Sequence, residues 1–305
     1  MSVLLIGGCG FIGSHIASAL SAKGIPIVVF DRNADVSKHS IGVRHIKGEF
    51  GNRGELEIAI KDYGVSSVVH LVSSTIPKSS NADPEFDVSS NVCETIALLQ
   101  FCVEHSIRKI VFLSSGGTVY GSPRYSPIDE DHPTNPICSY GITKLAIEKY
   151  LALYHRLYGL GYTAIRAANP YGTGQNPFST QGIIPVFIYQ MLHKQALHVF
   201  GSGEIVRDYF HVRDLADLCV KALMSDYCGI CNAGSGIGTS IDELIALLSG
   251  TLHINPNVVR KDGRLFDAPQ IVLDCGTARK HLNWTPTIPL NEGIAEVASW
   301  IKTSW

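Results

Sequence analysis

Val3-Leu4-Leu5-Ile6-Gly7-Gly8-Cys9-Gly10-Phe11-Ile12-Gly13 opens the chain, and its reading decides the fold. Four apolar residues make a short buried strand, glycines at 7, 10 and 13 make a tight turn, and the amphipathic run to about Ala22 makes a helix. Strand, turn and helix in that order are what a pyrophosphate site needs. The glycines allow the turn, close approach of backbone to phosphate and packing of helix on strand, and the helix N-terminus favours an anion. A second strand, Pro26 to Phe30, ends in Asp31, 18 residues past Gly13. A carboxylate there can accept hydrogen bonds from adenosine ribose hydroxyls and repels a 2′-phosphate, which favours NAD. Arg32 beside it could hold such a phosphate and keeps NADP as the alternative.

Downstream, apolar runs alternate with helical periodicity. Val43 to Lys47 reads as a third strand, Gly54 to Tyr63 as a helix and Val65 to Val72 as a buried strand. Pro84 to Glu104 reads as one long helix, Ile107 to Leu113 as a strand and Tyr140 to about Tyr158 as a helix. This alternation predicts an α/β fold, a Rossmann-type doubly wound parallel sheet with right-handed crossovers. After about Gly172 it loosens at Pro177, Gly182 and Pro185. The expected organisation is a dinucleotide-binding domain over residues 1–172, to which 205–234 return, with Tyr209 to Cys231 rejoining its sheet. Residues 173–204 and 235–305 then form a smaller C-terminal α/β substrate lobe.

With 305 residues, 45% of them hydrophobic, the chain can bury a large core. A net charge of −2 without basic or acidic blocks points away from nucleic acid and anionic membrane surfaces. No stretch has the character of a signal peptide or a membrane span, so a soluble cytoplasmic protein is expected. The eight cysteines lie mostly in apolar runs, as reduced buried thiols do. Cys228 and Cys231 make the one Cys-x-x-Cys, without the second pair a structural zinc requires, and no metal is expected. His70, inside a buried strand, reads as a core histidine.

Chemistry enters at Ser139-Tyr140-Gly141-Ile142-Thr143-Lys144, where Tyr140 and Lys144 are four apart and share one helical face. A neighbouring ammonium favours the phenolate and makes the phenol a usable base. Such a pair is ordinarily a solvated edge, but here it follows a nicotinamide-binding signature. Ser114 and Ser115 stand at the carboxyl end of a strand, where hydroxyls can meet a sugar. The polar loop Pro77 to Asn81, with Lys78, lies at the carboxyl end of another strand, where open α/β folds bind ligands.

With these pieces in place the chain resembles the extended short-chain dehydrogenase/reductase superfamily, and within it the NAD-dependent nucleotide-sugar epimerases and dehydratases. The likeness is nearly full length. It continues in Arg166-Ala167-Ala168-Asn169-Pro170-Tyr171-Gly172, in Gly201-Ser202-Gly203 with Arg207-Asp208-Tyr209-Phe210-His211-Val212, in Asn232-Ala233-Gly234 and in Gly263-Arg264-Leu265-Phe266-Asp267. The resemblance implies Tyr140 as base, with Lys144 holding the nicotinamide ribose and lowering the Tyr140 pKa. It implies a tightly bound NAD on Gly7, Gly10, Phe11, Ile12, Gly13, Asp31, Arg32 and Asn33. Glu49, Phe50, Leu71, Val72, Ser73, Asn91, Ser114 and Ala168 complete that surface. A nucleotide-sugar, UDP-linked by the same resemblance, would meet Lys78, Asn169 and His198, Val199 and Phe200. Arg207 and Arg264 would take the diphosphate, Asp267 a uridine-side ribose, and Ile271 would limit room at the sugar C2 substituent. A homodimer through the two long helices is implied as well.

Subfamily follows from what is missing. The dehydratases of the family carry an Asp-Glu pair where this chain has Gly117 and Thr118, and the decarboxylases a Glu in the same segment. Without a carboxylic acid there, redox at C4 is the simplest chemistry: epimerisation through a transient 4-keto sugar. A one-way 4-reductase or dehydrogenase is the alternative, and a non-catalytic NAD-binding regulator a third. Many 4-epimerases have Ser or Thr at the place of Gly116, so Ser115, Thr118 or a water must serve the tyrosine. Glucose/galactose and the N-acetylated pair both stay open, as do polysaccharide synthesis and galactose catabolism.

Overall fold

In the computed structural model, residues 2–33, 43–263 and 268–305 are described. Six strands build most of the main sheet: β1 (Val3–Ile6), β2 (Ile27–Asp31), β3 (Arg44–Lys47), β4 (Ser67–His70), β5 (Lys109–Ser115) and β6 (Gly161–Ala167). The strand Gly229–Ala233 completes it at the edge beside β6. Across the sheet the order runs from Gly229–Ala233 through β6, β5, β4, β1 and β2 to β3, and every pairing is parallel. The order reverses between β1 and β4, and the crevice at their carboxyl ends is where a doubly wound sheet binds its ligand.

The strands are continuous apolar runs because both faces are covered. Val3, Leu5, Val29, Val69 and Val111 pack on one side with Ile16 and Leu20 of the helix α1 (Phe11–Ala22). Leu4, Ile6, Val28, Val68 and Phe112 pack on the other with Leu56, Leu98 and Ile147. A third core, around Ile184, Ile188, Leu244, Leu248 and Val297, belongs to the C-terminal part. No helix among the described residues is long and apolar enough to cross a membrane.

Two expectations need correction. Val206–His211 does not rejoin the main sheet. It joins a second sheet with Asn169–Tyr171, Gly238–Ser240 and Gln270–Ile271, and only the helix Val212–Met224 and the strand Gly229–Ala233 return. The single helix expected over Pro84 to Glu104 is instead α-helical Pro84–Asp87, a π-helical turn Val88–Cys93 and α-helical Glu94–Glu104. Side chains explain the wider turn. Asn91 Nδ2 donates to the Asp87 carbonyl at 3.0 Å and Thr95 Oγ1 to the Asn91 carbonyl at 2.6 Å, taking acceptors that α-helical N–H groups would use.

His70 is a core histidine. It is buried between Phe50 and Phe112, with Nε2 3.0 Å from Thr95 Oγ1. Burial first, then the Lys144 charge, pushes its pKa down to about 3. Burial likewise lowers His211 to about 4, with Glu296 opposing and Arg213 and His15 assisting. Both are neutral in the folded protein at pH 6.5, where an unfolded histidine begins to charge. Below that pH the unfolded chain binds protons the folded one refuses, so stability falls as pH drops toward the folded values. Urea unfolding should therefore lose up to about 3 kcal/mol between pH ~6.5 and ~5 from these two groups, and His70→Gln should remove roughly half of that slope.

Candidate active site

At the phosphate turn, Gly7 has φ +82°, a left-handed conformation, and a Cβ there would lie 3.1 Å from Val72 Cγ2. A Cβ on Gly13 would lie 2.6 Å from both the Gly7 carbonyl oxygen and Gly8 Cα, so α1 can approach the turn only as glycine. Gly10 begins α1 and offers no capping side chain. Asp31, at the tip of β2, is pinned to the same turn: its carboxylate accepts the Cys9 N–H at 3.0 Å and the Asn33 N–H at 2.9 Å. A bare backbone cradle at a helix N-terminus, with an acid at the next strand end, fits the pyrophosphate and adenosine ribose of a dinucleotide. Phe11 and Ile12 are half-buried on the first turn of α1, and Arg32, Asn33 and Glu49 are exposed beyond the strand ends. Leu71 and Val72 flank Gly7, Phe50 stacks on His70, and the Ala168 N–H is held by the Ala233 carbonyl.

The Tyr140 helix, Ser139–Tyr158, ends where Gly159 turns left-handed at φ 71°. Its start has no cap of its own. Instead the Ser139 N–H donates to Asn81 Oδ1 at 2.9 Å and the Tyr140 N–H to Ser80 Oγ at 3.0 Å, so the segment after β4 caps it from outside. Lys144 is buried, and its ammonium donates to the Leu113 carbonyl at 2.9 Å, 4.7 Å from the Phe112 ring centroid and 5.4 Å from that of Tyr140.

Burial acts against the effect expected of Lys144 on the phenol. It pushes Tyr140 up to about 12, with Cys138 and Asp87 adding to it, while the Ser73 hydroxyl works the other way. Burial lowers Lys144 to about 8, against the pull of Asp87 and Glu148. Desolvation is the largest influence on both groups.

Two further expectations change. Ser114 is buried and its hydroxyl donates to Glu148 Oε1 at 2.5 Å, so it serves the buried Glu148–Arg166 ion pair (2.7 Å) rather than the cleft. Asn91 spends its amide inside the protein: Oδ1 accepts the Ser74 N–H at 2.9 Å, and Nδ2 donates to Asp87. Gly116 is filled from outside, because a Cβ there would stand 2.5 Å from Leu273 Cδ1 and 3.1 Å from the Arg166 carbonyl. Of the two hydroxyls expected to compensate, Ser115 is half-buried, and Thr118 Oγ1 is buried without a hydrogen-bond partner.

On the substrate side, Lys78 is exposed on the short helix Pro77–Ser80, and Asn169 Nδ2 donates to the Asp208 carbonyl at 3.2 Å. Arg207 donates from Nη1 to the Ala268 carbonyl at 2.8 Å. Along Leu197–Phe200, His198 is exposed and Phe200 half-buried, but Val199 faces the core. Ile271 is also a core residue, 1% exposed, because its strand pairs with Val206–His211; it does not gauge an open sugar pocket. Arg264 and Asp267 lie outside the described residues. Asp87 was missed by sequence reasoning; a lone Asp in a helical run gives no signal until the fold brings its partners together.

Cradle, ribose carboxylate and a Tyr-Lys pair at one switch point define a dinucleotide-dependent protein of the short-chain dehydrogenase/reductase type. The profile of the NAD dependent epimerase/dehydratase family matches residues 3–234. A putative UDP-glucose 4-epimerase of Methanocaldococcus jannaschii is 36% identical over 306 residues, covering 99% of each chain. A dTDP-4-dehydro-6-deoxyglucose reductase of Escherichia coli is 30% identical, over 98% of this chain and 97% of its own. Among solved structures, the UDP-glucose 4-epimerase of Thermotoga maritima with UDP-glucose superposes with a TM-score of 0.95 at 30% identity, over 100% and 99% of the two chains. The Thermus thermophilus UDP-glucose 4-epimerase with NAD gives 0.93 at 30% identity, over 100% of both. The chain belongs to the NAD dependent epimerase/dehydratase family.

Tyr140→Phe should lower kcat by at least ~10²-fold on the substrate proposed below, with KM within about threefold and an unchanged melting temperature. Ser115→Ala and Thr118→Ala, assayed separately, identify the helper hydroxyl by which of them loses a comparable factor; if neither does, no hydroxyl at these two positions assists.

Proposed function

We propose that this protein is an NAD-dependent 4-epimerase of a nucleotide-sugar, most simply a UDP-hexose, acting through a 4-keto intermediate. The observation that carries the reading is the Tyr140–Lys144 pair itself, with Lys144 buried and anchored on the Leu113 carbonyl of β5, in the same parallel sheet whose β1–α1 turn forms the Gly7–Gly13 cradle. Tyr140 takes the proton of the sugar 4-hydroxyl and gives it back to the same oxygen after the 4-keto sugar has turned over in the pocket, so that hydride returns to the other face of C4. Lys144 holds the nicotinamide-side ribose. The cradle and Asp31 hold the pyrophosphate and adenosine ribose. When bound, NAD accepts and returns a hydride at C4 and places a positive charge near the phenol, which would counter the burial that raises it. Arg207, with Arg264, would grip the substrate diphosphate.

A one-way 4-reductase is the second reading. It is favoured by the Escherichia coli relative and by Gly116, which leaves no hydroxyl at a position where many 4-epimerases have one. The assay that separates the two mixes purified protein, without added cofactor, with UDP-galactose and, in parallel, UDP-N-acetylgalactosamine, and follows the anomeric protons by NMR. Equilibration of either with its C4 epimer is the expected result and names the sugar. Turnover only with stoichiometric NADH and a 4-keto substrate would install the reductase instead.

The protein is further proposed to work as a cytoplasmic homodimer. Ile142, Leu153, Leu157 and Tyr158 are 54%, 43%, 59% and 58% exposed on the outer side of the Tyr140 helix, and Phe86 is 50% exposed on the neighbouring one. Exposed large apolar side chains recurring along one helix suit an interface. Sedimentation should give a dimer for the native protein and a monomer for Leu153→Lys/Leu157→Lys; a native monomer would end this part of the reading.

A further inference from the structure

Asp87 is fully buried, yet it makes no hydrogen bond to any of the residues that sequence assigns to catalysis. Its carboxylate accepts from Thr75 Oγ1 at 2.5 Å, Ser139 Oγ at 2.6 Å, Asn91 Nδ2 at 2.9 Å and Thr143 Oγ1 at 3.5 Å. These donors come from three segments: the loop after β4, the π-helical turn, and the first turn of the Tyr140 helix. The same loop carries Ser73, whose hydroxyl donates to the Thr75 carbonyl at 3.0 Å and whose influence reaches the Tyr140 phenol. Through Thr75 and Ser139, Asp87 thereby ties this loop to the first turn of the helix that carries Tyr140. A buried carboxylate without an adjacent cation in its hydrogen-bond shell is costly unless its charge is used.

We propose that Asp87 is a positioning residue for the Tyr140–Lys144 pair: it docks the start of the helix on the loop carrying Ser73 and supplies a countercharge that keeps Lys144 an ammonium. The inference rests on the reading of Tyr140 as the base. The other titratable groups facing the pair are Cys138 at the helix start, Glu148 one turn beyond Lys144 and paired with Arg166, and His70 on β4. His70 stays neutral and Glu148 is engaged by Arg166 and Ser114, so Asp87 is the group whose removal changes the local charge most simply. A negative charge there favours the Lys144 ammonium and disfavours the Tyr140 phenolate. Neutralising it moves both titrations toward lower pH.

The test is Asp87→Asn, which keeps the shape and one acceptor oxygen and replaces the other with a donor. With UDP-galactose as substrate, or the N-acetylated sugar if that is the one turned over, kcat should fall about tenfold with KM within about twofold, and the pH profile of kcat should shift about one unit to lower pH. In the protein without substrate, the ¹⁵N resonance of the Lys144 ammonium, identified by Lys144→Arg, should titrate at lower pH in the variant than in the native chain. Asp87→Glu should restore the pH profile. A lower kcat with an unmoved profile and an unmoved Lys144 titration would make Asp87 merely structural and overturn the proposal, as would an unchanged enzyme. If Asp87→Asn does not fold, Ser139→Ala decides: a several-fold loss of kcat at an unshifted profile supports the docking, and unchanged kcat overturns it. Should the native protein turn over neither sugar, the functional reading fails while the Lys144 titration still tests this one.

Discussion

A lysine ammonium held out of water at the carboxyl end of a parallel sheet is the constraint around which this site is arranged. Lys144 is 4% exposed, and its immediate surroundings are the Leu113 carbonyl and the rings of Phe112 and Tyr140. Burial of a charge is tolerated only where dipoles, π-faces and opposite charges compensate it. The molecule places two carboxylates in range, Glu148 on the same helix and Asp87 on the neighbouring one. Each is itself committed elsewhere, Glu148 to Arg166 and Ser114, Asp87 to four side-chain donors. The polar interior behind the cleft is thus one connected set of partners, and the half-buried tyrosine beside it holds its proton more tightly than a tyrosine in water.

The β1–α1 turn could be read from sequence because three glycines at fixed spacing answer a steric demand, and the demand is visible in the 2.6 Å a Cβ at Gly13 would leave to the turn. Asp31, Tyr140 and Lys144 were legible for a similar reason: each lies at a set distance from an element that hydrophobic pattern reveals. The rest depended on tertiary partners. Ser114 looked like a cleft hydroxyl because it ends β5, but the alternation of strand side chains sends it to the helix side, toward Glu148. Asn91 and Thr95 rewired a helix that periodicity alone describes as regular. Val199 and Ile271 belong to strands whose inward faces are fixed by pairing with distant segments. No local pattern carries that information.

Gly116 shows how packing and chemistry can be coupled. Leu273, from the segment that follows the second sheet's last strand, occupies the space a side chain at 116 would need. The absent hydroxyl is therefore part of the local packing, and restoring it would require Leu273 to shift. Ser73, which acts on the phenol against the effect of burial, is another hydroxyl toward the same tyrosine.

The central claim is that one tyrosine and one retained dinucleotide carry a hydride off C4 and back to the same carbon. The most direct measurement uses UDP-galactose deuterated at C4, incubated with the purified protein in ordinary water in the presence of excess unlabelled free NADH. The account predicts that deuterium stays at C4 of the UDP-glucose formed, without dilution by the free NADH. Loss of the label from C4 would contradict it, because the hydride would then leave the site with a dissociating cofactor between the two half-reactions.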